Sequence, residues 1–377
     1  MQSAEPGRLL SIQSHVCSGF VGNRSATFPL QLLGWDVDIV NTTQLSNHTG
    51  YGRWGGMRLD DAHLRNVFAG LEANGLNRWV RLLTGYTPSP AALAAVSGFI
   101  RRTRTANRDL IYLLDPVLGD SDRGFYVDKE CLPLYRELLP MSNIVCPNSF
   151  EAQQLAGVDI IDRSSLLSAF AILHAKYDVE HVIITSLEPL PADLGMNATL
   201  PDGSRAMVQA GSSFSVTQSS NVPKLNEVTE QINPWLIAFP EVEGHFVGVG
   251  DLFSALVLGR FEREQSDASG SASVTPLASA AEQAIASVQG VLQRTQKHMA
   301  NLTQQSESSA GWKGMKNAAD DQDATLVGPT SSAATPEDLA SAHLRVEYAR
   351  ARELRVVQSR EELERPNVQW KACWLKR

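Results

Sequence analysis

The chain has 377 residues, 43% of them hydrophobic and 20% charged, enough apolar material for a substantial core and too much for a wholly disordered protein. A net charge of -8 argues against coating nucleic acid or an anionic membrane, and no run of about 18 apolar residues offers a transmembrane span. Cys17, Cys131, Cys146 and Cys373 form no C-x-x-C pair, so neither a zinc ribbon nor a disulfide framework is indicated. The polar start, Met1 to Gly7, does not read as a secretory signal, and reduced thiols in the cytoplasm are the expectation.

In chain order, β-rich runs at 9–13, 37–41, 79–84, 110–115, 143–146 and 181–185 read as buried strands. Residues 60–73, 90–105, 129–139, 149–155 and 164–177 read as the helices between them, the last with Leu166, Phe170 and Leu173 on one face. This alternation predicts an α/β fold, a mostly parallel sheet covered on both faces, with ligands at the carboxyl ends of its strands. Past Ser186 turns accumulate, and 206–209 and 214–217 read as antiparallel strands. Phe246 to Asp251 then feeds a buried helix opened by Leu252 and Phe253, and 277–299 reads as another amphipathic helix. Residues 264–276 and 301–343, rich in small and polar residues, read as low-complexity insertions, the second disordered.

Chemistry concentrates at the expected strand ends. Gly248-Val249-Gly250-Asp251 at a helix start can aim backbone N–H groups at an anion, with Asp251 beside it as a base; a plain Asp N-cap is the bland alternative, which these four residues alone favour. Asp115-Pro116-Val117-Leu118-Gly119-Asp120 offers two carboxylates suited to Mg²⁺ or simply to a turn. Asn148 and Glu151 fit a capping box, and fit equally a contact to a hydrated metal and phosphate. Thr185-Ser186 supplies hydroxyls, while Ser11 to His15, Ser46 to Tyr51 and Thr84-Gly85-Tyr86 place polar and aromatic groups where a small aromatic ligand could bind. No P-loop, protein-kinase, H-E-x-x-H or G-x-S-x-G motif occurs, so any phosphoryl transfer proceeds without a P-loop.

Ser11-Ile12-Gln13-Ser14-His15-Val16, Gly22-Asn23-Arg24 with Thr27-Phe28-Pro29-Leu30-Gln31, Ser46-Asn47-His48-Thr49-Gly50-Tyr51, Asp115 to Asp120 and Gly248 to Asp251 together resemble the pyridoxal kinases of the ribokinase-like superfamily. The blocks occur in family order, and Glu353-Leu354-Arg355-Val356-Val357-Gln358-Ser359 is similar too. The resemblance implies a three-layer αβα sandwich over 8–377, with the two low-complexity segments inserted in one domain. It also implies ATP-dependent phosphorylation of the 5′-hydroxymethyl group of pyridoxal, and of pyridoxine and pyridoxamine, by a homodimer that uses neither nucleic acid nor membrane.

Carried over by position, Asp251 would be the base and Gly248, Val249 and Gly250 the anion hole. Ser14, Val21, Thr49 and Tyr86 would contact the pyridine substrate. Asp115, Tyr126, Asn148, Glu151, Thr185 and Ser186, with Val249 and Gly250, would serve ATP. Asp115, Asp120 and Glu151 would serve its Mg²⁺, and a monovalent cation such as K⁺ or Na⁺ is implied nearby. Two departures stand out: relatives carry threonine where this chain has Val249, and threonine where it has Cys146, a poor ligand for hard cations.

Two other readings remain open: a hydroxymethylpyrimidine-type kinase, against which the Ser46 to Tyr51 block argues, and a catalytically weak vitamin B6 binding protein. The acidity is local, since 264–276 and 301–343 together carry -6 of the net -8.

Overall fold

The computed structural model describes residues 7–187, 199–214, 225–263, 274–305 and 336–375, and besides these positions 194, 197, 325 and 326. Nine strands form one sheet: β1 (Arg8–Gln13), β2 (Asp36–Asn41), β3 (Arg81–Thr84), β4 (Ile111–Leu114), β5 (Ile144–Val145), β6 (His181–Leu187), β7 (Ala206–Ser213), β8 (Trp235–Pro240) and β9 (Cys373–Trp374). Their spatial order is β9-β8-β7-β6-β5-β4-β3-β1-β2. From β2 to β6 every pairing is parallel, and β7, β8 and β9 continue antiparallel.

The period-two alternation of strand side chains divides the core in two. Leu10, Ile12, Leu82, Tyr112, Leu114, Val145, Val182 and Ile184 face one helical layer: α2 (Asp61–Ala73), α3 (Pro90–Ala106), α4 (Cys131–Leu138), α5 (Ser149–Ala156), α6 (Arg163–Ala175) and α7 (Leu225–Gln231). Leu9, Leu83, Leu113, Ile144, Ile183, Trp235 and Ile237 face the other: α1 (Asn23–Leu32), α8 (Val249–Arg260), α9 (Pro276–Gln305) and α11 (Arg360–Glu364). The chain therefore has the three-layer αβα architecture that the alternating pattern anticipates. A further helix, α10 (Pro336–Ala351), precedes α11.

All six parallel strands lie where the pattern puts them. The reading of 214–217 as a strand does not hold at its start: β7 runs unbroken to Ser213, Phe214 follows it, and 215–217 lie outside the described residues. The strand β7 pairs antiparallel with β6 on one side and β8 on the other, and β7 and β8 pack so closely that a Cβ on Gly211 would collide with the Trp235 ring. Helix α1 was not anticipated because Pro29 interrupts its sequence; its buried face includes the polar Asn23 and Ser25. The second expected insertion begins inside α9, at Asn301 to Gln305, and ends inside α10. Most of its interior, and 264–273 of the first, lie outside the described residues. All four cysteines are free, and among the described residues no helix is long and apolar enough to cross a membrane.

Candidate active site

Because β1 to β6 are parallel, their carboxyl ends share one edge of the sheet, and two antiparallel steps return β8 to the same direction. Ser14 follows β1, Tyr86 follows β3, Asp115 follows β4 and Asn148 follows β5, while Thr185 and Ser186 lie near the end of β6. The ladder continues into these residues: Asp115 N–H donates to Thr84 O at 2.9 Å, Cys146 N–H to Leu114 O at 3.0 Å and Thr185 N–H to Pro147 O at 2.9 Å. Their backbones are thus set by neighbouring strands rather than by loop conformation.

Helix α8 starts at this edge. Its N-cap is Gly248, with φ 85°, and no side chain caps it. A Cβ on Gly248 would both strain that left-handed backbone and collide with the Phe20 carbonyl, so the turn requires glycine. Asp251 is therefore the third residue of the helix and not its cap, which removes the bland reading of this motif. The helical ladder opens with Leu252 N–H donating to Gly248 O at 3.1 Å, leaving the N–H groups of Val249, Gly250 and Asp251 ahead of it at the positive end of the helix. Asp251 Oδ2 accepts from Gly22 N–H at 2.7 Å, and burial pushes its pKa up against the lowering effect of that bond.

Helix α5 presents a capped start on the same edge. Asn148 Oδ1 accepts from Glu151 N–H and Glu151 Oε2 accepts from Asn148 N–H, both at 2.9 Å, a complete capping box. Glu151 Oε1 also accepts from Leu118 N–H at 2.9 Å and Gly119 N–H at 3.4 Å, and Asn148 Nδ2 donates to Gly119 O at 2.7 Å. The box thereby holds the loop that follows Asp115. Burial of Glu151 raises its pKa to about 7, though these backbone donors oppose the shift.

Asp115 is buried between these two helix starts. Burial first, then the nearby charges of Glu151 and Asp251, push its carboxyl well above the usual range, while Ser254 Oγ donates to its Oδ2 at 2.8 Å and opposes the rise. A carboxylate crowded by two others is a natural seat for a cation. Among the described residues, however, no three acidic, histidine or cysteine groups gather into a metal cage. Asp115, Asp120 and Glu151 thus do not form a protein-only site; Asp120 Oδ1 closes a turn by accepting from Arg123 N–H at 2.8 Å. The donor set suits a largely hydrated Mg²⁺ shared with phosphates. Cys146 is buried beside Asp115 and Ser254, and burial keeps its thiol protonated far above the ordinary range.

Toward β1, the residues expected to hold a pyridine ring occupy three segments. Val21 packs with Val16 and Leu45, and a Cβ on Gly22 would collide with the Ser14 carbonyl, so Ser14, Val21 and the Gly22 to Asp251 bond are immediate neighbours. Thr49 is exposed on the turn Thr49–Tyr51. Tyr86 is partly buried against the core, its carbonyl accepting from Thr42 Oγ1 at 2.7 Å. Tyr126, expected at the nucleotide, is 44% exposed, and its N–H donates to Leu118 O at 2.7 Å.

Two participants were missed in the sequence. Ser254 lies one helical turn beyond Asp251, so the i, i+3 spacing was a usable signal. Asn23 carries no assigned role in the sequence reading, yet its Nδ2 donates to Val40 O at 3.1 Å and Asn41 Oδ1 at 2.9 Å, fixing α1 to β2, and only the fold brings those groups together.

The family model described as phosphomethylpyrimidine kinase matches residues 84–209. The chain is 38% identical to the pyridoxal kinase of Ovis aries over 297 residues, 78% of this chain and 86% of that protein, and 38% identical to that of Homo sapiens over 295 residues, 77% and 86% of the two. A solved structure of Leishmania donovani pyridoxal kinase, in complex with ADP and pyridoxamine, matches with a TM-score of 0.69 at 27% identity, covering 98% of this chain and 99% of that one. The chain belongs to the pyridoxal kinase family.

Proposed function

We propose that Asp251 is the base with which this kinase transfers the γ-phosphoryl group of ATP to the 5′-hydroxymethyl oxygen of pyridoxal. The observation that carries the reading is the start of α8, where a glycine cap leaves three N–H groups ahead of the ladder beside a carboxylate with a raised pKa. As the hydroxyl oxygen bonds to the γ-phosphorus, its proton passes to Asp251, the bond from the γ-phosphorus to its bridging oxygen breaks, and ADP leaves. The N–H groups of Val249, Gly250 and Asp251 would hold the charge on the transferring group. Gly22 N–H keeps Asp251 aimed.

Ser14, Val21, Thr49 and Tyr86 would orient the pyridine ring. Asn148, Thr185, Ser186 and Tyr126 would serve the nucleotide, with Asp115 as the principal carboxylate toward a hydrated Mg²⁺ and Glu151 and Asp120 around it. Bound Mg²⁺ supplies charge neutralisation on the phosphates. Burial of the Cys146 thiol argues against a monovalent cation bound by that side chain. Residues 8–377 are read as one cytoplasmic kinase domain acting as a homodimer.

Purified protein mixed with MgATP and pyridoxal should produce pyridoxal 5′-phosphate, followed by absorbance. Saturable pyridoxal binding without product would overturn the kinase in favour of a binding protein, and preference for hydroxymethylpyrimidine would favour the related kinase.

A further inference from the structure

One carboxylate ties together two loops that lie far apart in the chain from the residue that bears it. Glu353 Oε2 accepts from Phe20 N–H at 3.0 Å, Glu353 Oε1 accepts from Tyr51 O–H at 2.9 Å, and His48 Nε2 lies 3.3 Å from the same Oε1. The His48 and Tyr51 rings meet edge to face, 4.8 Å between centroids. The side chains of Glu353 and His48 are only 11% and 12% exposed, so the charged acceptor works largely out of water, where its bonds are strongest. Gly19, with φ 101°, makes the approach possible: a Cβ there would collide with the Glu353 carboxylate.

What the two loops carry gives the junction its meaning. Phe20 precedes Val21 and Gly22, whose N–H holds Asp251, and His48 and Tyr51 flank Thr49. We propose that Glu353 is a positioning residue for the vitamin side of the reaction, holding the loop of Thr49 in register with the loop of Ser14, Val21 and Gly22. The inference rests on the reading of those residues as the pyridoxal contacts. Apart from Tyr126 and the Val249 and Gly250 of the α8 anion hole, the groups assigned to ATP stand on or just after β4, β5, β6 and α5, none of which Glu353 touches through these bonds. Its loss is therefore expected to weaken pyridoxal and spare the nucleotide.

The test uses the intact chain, with pyridoxal Kd measured by titration calorimetry and KM measured separately for pyridoxal and MgATP. Removing a charged acceptor from the Phe20 N–H and Tyr51 O–H donors, Glu353→Ala should raise the pyridoxal Kd and KM about tenfold, with the MgATP KM moving less than about twofold. Glu353→Gln, isosteric and still an acceptor, should fall between wild type and Glu353→Ala. Tyr51→Phe, which removes one bond and leaves the carboxylate in place, should raise the pyridoxal values about threefold. Unchanged pyridoxal affinity in Glu353→Ala and Tyr51→Phe would overturn the proposal, as would equal rises for both substrates alongside a lowered Tm, the mark of a general structural role. If Glu353→Ala does not fold, Tyr51→Phe decides alone. A wild type that binds pyridoxal but makes no product defeats the kinase reading instead, and the binding comparison still judges Glu353.

Discussion

Helices α5 and α8 begin at the same edge of the sheet and solve the same problem in opposite ways. Each start exposes backbone N–H groups that need acceptors. In α5 the chain supplies them itself: Asn148 and Glu151 close a capping box, and the remaining Glu151 oxygen takes two N–H groups from the loop that follows Asp115. In α8 the cap is a glycine without a side chain, and the only acidic residue of the first turn, Asp251, bonds across to Gly22 rather than back to its own helix. A start closed by its own side chains stabilises the fold, whereas one left open beside a carboxylate is available to a phosphoryl group. The contrast separates two aspartate- and glutamate-bearing motifs that look alike on paper.

The strongest way to break this comparison is Asp251→Asn, which keeps an acceptor for Gly22 N–H while removing the base. Its kcat should fall about 10³-fold with the pyridoxal KM little changed, and full turnover would place the base elsewhere. Because burial raises the Asp251 pKa, the acid limb of wild-type kcat should also lie above the ordinary aspartate value.

At α5 the effect should appear in stability. Glu151→Ala leaves the buried Leu118 and Gly119 N–H groups and the half-buried Asn148 N–H without their acceptor, a cost on the order of 2–4 kcal/mol readable in urea unfolding, and larger than the stability change in Asp251→Asn. The sign of its pH dependence is fixed by a folded-state pKa of about 7 against an ordinary 4.5. Between those values the folded protein keeps a proton that the unfolded chain has released, so this group's contribution to stability falls as pH rises toward 7. Glu151→Gln should flatten that slope in metal-free protein; an unchanged slope would assign it to another group.

Smaller effects sharpen the picture. Ser254→Ala removes the donor to Asp115 and should raise the MgATP KM about threefold while leaving the pyridoxal KM in place. Val249→Thr restores a hydroxyl at the open helix start and should raise kcat by a factor of about two to five; no gain would mean that the backbone N–H groups suffice.

Much of the architecture is legible in the sequence alone. The six parallel strands and five intervening helices follow from apolar periodicity, and the capping box from the Asn148 to Glu151 spacing. The misses have physical causes. Pro29 and a polar buried face concealed α1, and the ends of the second insertion join helices despite their composition.

By itself the sequence determined the alternating layers, the family resemblance and the candidate residues at strand ends, because these rest on local patterns a few residues long. Only the tertiary structure decided that Asp251 is not a cap, that Ser254 serves Asp115, and that Glu353 joins the loops of Phe20 and Tyr51. Those outcomes depend on which donor meets which acceptor across 139, 302 and 333 residues of chain, and no local propensity carries that information.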